Sequence, residues 1–145
     1  MNNKNINSTK IASELIAPCG INCRICIGYL GYLMNGGKRK HACSGCRPKD
    51  KNCSWVKKQC SKLANHELEY CFQCDDFPCD IIKKLDRNYR QKYNMSTIAN
   101  LKFIMKNGIL PFLQQQAEQY TCPNCGHLIC VHTQKCYNCG EEYEL

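Results

Sequence analysis

Apolar residues recur at helical spacing mainly between residues 80 and 120. A charged amphipathic helix is predicted from about Asp80 to Tyr93. Ser96 is a suitable N-cap for a second helix through Ile98, Leu101, Ile104 and Met105, which Asn107-Gly108 stops. Pro111 suits the first turn of a third, running to about Gln119. After residue 120 the spacing changes, and Thr, Tyr, Val and Ile favour short strands. Before residue 80 the pattern is weaker. Residues 1–17 read as a polar, Asn-rich tail that ends in a short helix through Ile11, Leu15 and Ile16. Ala17-Pro18-Cys19-Gly20 is a turn, and Tyr29-Leu30-Gly31-Tyr32-Leu33 is a partly buried helix ended by Asn35-Gly36-Gly37. Ser54 to Gln59 is expected to form a further helix with Cys53 and Cys60 on one face. Four segments result: a tail (1–17), a module (18–94), a two-helix connector (95–120) and a C-terminal ribbon (121–145).

Cysteine changes this picture most. Fifteen occur in 145 residues, a density that in a short secreted chain signals disulfides. The count is odd, most cysteines sit two residues from another, and the N-terminus has no apolar run of signal-peptide length. Metal chelation in a reducing, cytoplasmic setting fits better. No stretch approaches the roughly 20 apolar residues of a membrane span.

The cleanest set is Cys122-x2-Cys125-x10-Cys136-x2-Cys139, two steps that place four thiolates around Zn²⁺. Gly126 and Gly140 follow the second thiol of each step, where the backbone must turn its N–H groups toward sulfur. Cys130, His127 and His132 lie in the same segment but are not needed, because the other four satisfy one ion. Ten more cysteines form an N-terminal group: Cys19, Cys23, Cys26, Cys43, Cys46, Cys53, Cys60, Cys71, Cys74 and Cys79. They suit two four-ligand sites with two thiols over. The steps Cys23/Cys26, Cys43/Cys46 and Cys71/Cys74 are the expected ligands, with Cys19, Cys53, Cys60 and Cys79 as partners or spares. His41 and His66 are expected to be surface histidines. Zinc is the expected metal, and an iron–sulfur cluster is the alternative for the N-terminal group. Cys19-x3-Cys23-x2-Cys26 has the bare spacing of the radical S-adenosylmethionine triad, but the chain is too short for the barrel of those enzymes. With few large apolar side chains in its cysteine-rich part, the metal-free protein is expected to be partly or wholly unfolded.

The formal charge of +8 overstates the basicity, since each Cys₄–zinc site contributes a net charge of about −2. It is also uneven. Residues 38–58 hold eight Lys/Arg, from Lys38, Arg39 and Lys40 to Lys57 and Lys58, against Asp50 alone. That is a footprint for phosphate, with Trp55 available to stack on a base, or else local compensation for metal-bound thiolates. The ribbon carries Lys135 against Glu141, Glu142 and Glu144, which suits a protein partner better than phosphate.

The runs Ala17-Pro18-Cys19-Gly20-Ile21-Asn22-Cys23-Arg24-Ile25-Cys26, Cys43-Ser44-Gly45-Cys46 and Cys71-Phe72-Gln73-Cys74-Asp75-Asp76-Phe77-Pro78-Cys79 resemble a prokaryotic, Cys-rich family, the domain of unknown function numbered three-seven-nine-five. The connector from Asn100 to Ile109 and the closing ribbon extend the resemblance. It implies metal binding and brings no established activity.

No Ser/His/Asp arrangement, Gly-rich phosphate loop or paired carboxylate site stands out. Asp75 and Asp76 read equally well as turn residues. The sequence thus predicts a small α+β metal-stabilised protein: a Cys-rich helical module, a two-helix connector and a β zinc ribbon. Its expected role is a non-enzymatic binding or adaptor module. Electron transfer or cluster handling by an iron–sulfur protein, and metal storage or delivery, are the alternatives.

Overall fold

Helix signals that are local in sequence set most of the architecture. The computed structural model of the protein describes residues 11–45, 60–65 and 67–144. Among these it has helices α1 (Ile27–Leu30), α2 (Ser61–Ala64), α3 (Asp80–Tyr93), α4 (Thr97–Asn107) and α5 (Ile109–Tyr120). Short 3₁₀ turns cover Ser13–Leu15, Cys23–Ile25 and Cys71–Gln73. The three long helices fall where the sequence predicts them. Ser96 caps α4, its hydroxyl accepting the Ala99 N–H at 3.0 Å, and Gly108 separates α4 from α5.

The α3–α4 corner is held by a buried carboxylate. Asp86 on α3 accepts the Ser96 hydroxyl at 2.6 Å, the Ile98 N–H at 3.0 Å and Arg90 Nε at 2.7 Å. It therefore supplies an acceptor to the first turn of the next helix, where N–H groups have no intrahelical partner. Burial opposes its charge, but the Ser96, Ile98 and Arg90 donors outweigh burial and hold its pKa below the ordinary carboxylate value.

Helix α4 is central, in contact with α3, α5 and the Cys71–Gln73 turn. Its first turn also presses on Gly20, which has φ +92°; a Cβ there would stand 2.7 Å from Thr97 O. Asn100 Nδ2 donates to Gly20 O at 2.9 Å and locks this approach. Asn22, fully buried, reaches α5 through Gln116 Oε1 at 3.1 Å. The main core gathers Leu15, Ile16, Ile25, Ile82, Leu85, Leu101, Phe112 and Tyr120.

Three expectations change. Ile11, Leu15, Ile16 and Ala17 are core residues, so the polar-tail reading does not extend to them. The helix expected over Tyr29–Leu33 stops at Leu30, because Gly31 turns left-handed after one turn. Tyr32 then bridges Lys38, and Asn35-Gly36-Gly37 forms the tip of a hairpin, closed by Leu33 N–H to Gly37 O at 2.7 Å. The strands expected after residue 120 are single bridges, Thr121 with Leu128 and Lys135 with Glu142. Each pair encloses a cysteine turn that occupies the residues a ladder would need. Among the described residues the protein is mostly helical, and no helix is long and apolar enough to cross a membrane. The helix expected over Ser54 to Gln59 lies outside the described residues.

Candidate metal centre

The C-terminal segment is built from a repeated turn. Cys122 N–H bonds to His127 O at 2.6 Å, and Gly126 N–H returns to Cys122 O at 2.8 Å. Residue for residue, Cys136 N–H bonds to Glu141 O at 2.9 Å, and Gly140 N–H returns to Cys136 O at 2.8 Å. Gly126 and Gly140 have φ of +83° and +84°, a geometry that glycine reaches without strain. Each turn aims two N–H groups at its first sulfur: Asn124 and Cys125 at Cys122, Asn138 and Cys139 at Cys136. The two turns face each other, and the ligand atoms of Cys122, Cys125, Cys136 and Cys139 all lie within 4.8 Å of one another.

These spacings suit a tetrahedral ion. Zn–S bonds of about 2.3 Å set S···S edges of about 3.8 Å. Cys122 Sγ and Cys139 Sγ are 3.7 Å apart, and Cys125 Sγ and Cys136 Sγ 3.4 Å. The cage could bind a metal ion with little movement.

Neighbours outside the four thiols stabilise negative sulfur. The Tyr143 hydroxyl lies 3.0 Å from Cys122 Sγ, and His127 Nδ1 3.6 Å from Cys125 Sγ. Asn138 reaches across from the second turn to Cys125. This contact, followed by the His127 N–H, brings the Cys125 pKa down to about 6. Cys122 is also lowered: burial raises it, but Tyr143 and the Cys125 and Asn124 N–H groups prevail. Burial pushes Cys136 up to about 12. A divalent cation reverses that last effect, because its charge favours thiolate over thiol.

Between the two turns lies a third of the same kind. Cys130 N–H bonds to Lys135 O at 3.0 Å, and Gln134 N–H returns to Cys130 O at 2.8 Å, with Gln134 at φ +55° in the glycine's place. Thr133 stands where a second thiol would be. This turn docks on the N-terminal module. Val131 N–H bonds to Ile25 O at 3.0 Å, and His132 Nδ1 accepts the Ile27 N–H at 3.1 Å. Tyr137, inside the last cysteine turn, stacks on Tyr32 with centroids 3.9 Å apart.

The N-terminal thiols gather more loosely. Cys19, Cys23 and Cys71 are buried, while Cys26, Cys43, Cys60, Cys74 and Cys79 are half-buried. Burial, then the charges of Cys19, Cys60, Cys79 and Cys74, raise the Cys71 pKa. Cys43 belongs beside α1, its N–H bonded to Gly28 O at 2.8 Å. Among the described residues no second group of three donors reaches the spacing of the C-terminal cage. Cys46, Cys53, Trp55 and His66 lie outside the described residues. His41 is exposed, as expected. Cys130, His127 and His132 stand outside the four-thiol set. The sequence reading missed Asn138, Tyr143 and His132 as supporting residues. The identical Cys-x-Asn-Cys-Gly pattern of the two turns could have pointed to Asn138; the other two left no local signal.

Fold and site together define a small, mostly helical, cysteine-rich chain with a four-thiol cluster that could hold a metal ion. Residues 15–84 match the model of a family described as Protein of unknown function (DUF3795). Over those residues the chain resembles that family, and the match stops within α3, ahead of the cage. No curated protein and no solved structure matches the chain.

Proposed function

We propose that the chain is a zinc-stabilised, non-enzymatic binding module that takes nucleic acid on a basic hairpin. The observation that carries the metal part is the four-thiol spacing: sulfur fills every position of a tetrahedron, whereas a catalytic zinc keeps one open. Thiolate donors favour zinc among abundant divalent ions. The C-terminal turns act as a zinc ribbon reduced to its two metal-binding loops.

The binding part is supported by the hairpin that Tyr32 and Lys38 close. Lys38, Arg39 and Lys40 are exposed at its base, and Leu33 and Met34 are exposed near its tip. Cations can meet phosphates while the apolar tip meets bases or sugars. The acidic ribbon, engaged with the hairpin through Tyr137, is free to offer Glu141 and Glu142 to a protein.

Elemental analysis with a visible spectrum, on protein purified without oxygen, tests the metal. Zinc without a visible band is the expected result. Iron with acid-labile sulfide would replace this reading with electron transfer or cluster handling, and zinc readily lost to mild chelators would favour storage or delivery. For the binding part, Lys38→Ala, Arg39→Ala and Lys40→Ala together should weaken single-stranded DNA or RNA. They should also flatten the salt dependence by roughly one unit of slope for each cation that no longer meets a phosphate. An unchanged slope sinks the nucleic-acid role.

A further inference from the structure

The basic hairpin and the acidic ribbon meet on one aromatic pair, and each brings a cation to it. The bonds from Val131 N–H to Ile25 O and from Ile27 N–H to His132 Nδ1 hold the ribbon's middle turn on the N-terminal module. The chain leaves that turn at Lys135. Tyr137 then meets Tyr32 with ring centres 3.9 Å apart and planes 9° from parallel. The Lys135 ammonium lies over the same Tyr137 ring, 5.4 Å from its centre, within reach of a cation–π attraction. On the hairpin, Lys38 stands directly opposite Tyr32 in an antiparallel bridge. The flanking bonds, Leu33 N–H to Gly37 O at 2.7 Å and Arg39 N–H to Gly31 O at 2.8 Å, make it the kind of pair whose side chains come closest. Opposed residues send their side chains to one face, so Lys38 leaves the hairpin on the face that carries the Tyr32 ring. Among the described residues no carboxylate makes an ion pair with Lys38 or Lys135.

We propose that Lys135 and the Tyr32–Tyr137 pair join Lys38 in one composite surface for single-stranded nucleic acid. The inference rests on the nucleic-acid reading above and adds the ribbon to the site. A strand is tracked by cations set along a surface, and Lys135 continues the series Lys38, Arg39 and Lys40 across the stacked rings. Leu33 and Met34, exposed next to Tyr32 in the chain, offer apolar contact to base faces that a duplex keeps stacked inside. Glu142 works against this surface. It stands opposite Lys135 in a bridge of the same close kind, with Cys136 N–H to Glu141 O and Tyr143 N–H to Gln134 O both at 2.9 Å. Its carboxylate therefore shares a face with Lys135 and repels phosphate. The ribbon's summed charge, Lys135 against Glu141, Glu142 and Glu144, conceals the role of this lysine. Only the fold sets it against the hairpin.

Binding of the full, zinc-loaded chain to a dye-labelled oligothymidylate, followed by anisotropy across a range of salt, tests this. Lys135→Ala should weaken binding several-fold and reduce the slope of log affinity against log salt by about 0.7, the value for one phosphate contact on a single strand. Lys135→Arg should keep both affinity and slope, which a merely structural role for the lysine stem does not require. Glu142→Gln should tighten binding. A parental slope in Lys135→Ala, alongside a flattened slope when Lys38, Arg39 and Lys40 are replaced together, removes the ribbon from the site. An unchanged slope in that triple variant instead sinks the nucleic-acid reading itself. Equal affinity at the same salt for the matching oligothymidylate–oligoadenylate duplex overturns the preference for a single strand. If Lys135→Ala loses its zinc, Glu142→Gln decides: unchanged affinity there overturns the composite surface.

Discussion

His132 accepts the backbone N–H of Ile27 at 3.1 Å, and Ile27 opens α1 directly after Cys26. One residue earlier, Val131 N–H bonds to Ile25 O at 3.0 Å. The chain is thus pinned on both sides of Cys26 by a turn lying far beyond the family match. Accepting at Nδ1 places the imidazole proton on Nε2, which faces the Tyr89 hydroxyl at 3.1 Å. Tyr89 and Tyr93 meet the ring edge-on. Burial in this setting brings the His132 pKa down to about 4.

That depressed value fixes a pH dependence. His132 stays neutral in the folded chain while the unfolded chain takes up a proton below the ordinary value of 6.5. Its contribution is therefore full above pH 6.5 and is lost as pH falls toward 4, at about 1.4 kcal/mol per unit. Between about pH 7 and 5.5, with metal saturating, the parent should lose about 1 kcal/mol more than His132→Asn in urea unfolding. Parallel losses in the two proteins would remove this assignment.

Asp86→Ala leaves the Ser96 hydroxyl, the Ile98 N–H and Arg90 without their shared acceptor. A cost of about 3 kcal/mol at pH 7 is expected. Because the folded pKa is lowered, this contribution is present above the unfolded carboxylate value of about 3.9 and is lost as pH falls through the folded one. Parent and variant should therefore converge in strong acid, read from denaturant midpoints.

Gly20→Ala and Gly36→Ala separate two effects of a left-handed glycine. Both have φ +92°, but a Cβ meets Thr97 O at 2.7 Å at Gly20 and nothing within 4 Å at Gly36. Gly36→Ala should cost about 1 kcal/mol for conformation alone. Gly20→Ala should cost at least about 2 kcal/mol more, lowering the melting midpoint by roughly a further 5 °C. Equal losses would mean that α4 does not press on the Cys19-Gly20 turn.

Cys122→Ser removes a buried sulfur that Tyr143 and two N–H groups support. It should lose one bound ion per chain and raise amide exchange across residues 122–143, while α3, α4 and α5 stay protected. Unchanged stoichiometry would refute the four-thiol cage.

How much of this was legible depended on how local each signal is. The ends of α3, α4 and α5 follow from caps and spacing, which neighbouring residues supply. The cage follows from two Cys-x-x-Cys steps, since two residues between thiols nearly fix the turn. The role of Asp86 depends on the angle between two helices, and that of His132 on a contact with Ile27 across most of the chain. Neither leaves a local pattern. Ile11, Leu15 and Ile16 read as tail because the Asn-rich stretch before them dominates the composition there. The missing strands reflect a limit of composition: Thr, Val and Ile favour extended backbone, but turns of this size leave room for single bridges only.

Tyr137 lies between two thiols of the cage, and its ring rests on Tyr32, which closes the hairpin bearing Lys38, Arg39 and Lys40. Cage and hairpin therefore share a wall, which gives a change at one a packed route to the other. Whatever factor an ion in the cage adds to affinity at the hairpin, a ligand on the hairpin must return to the retention of that ion.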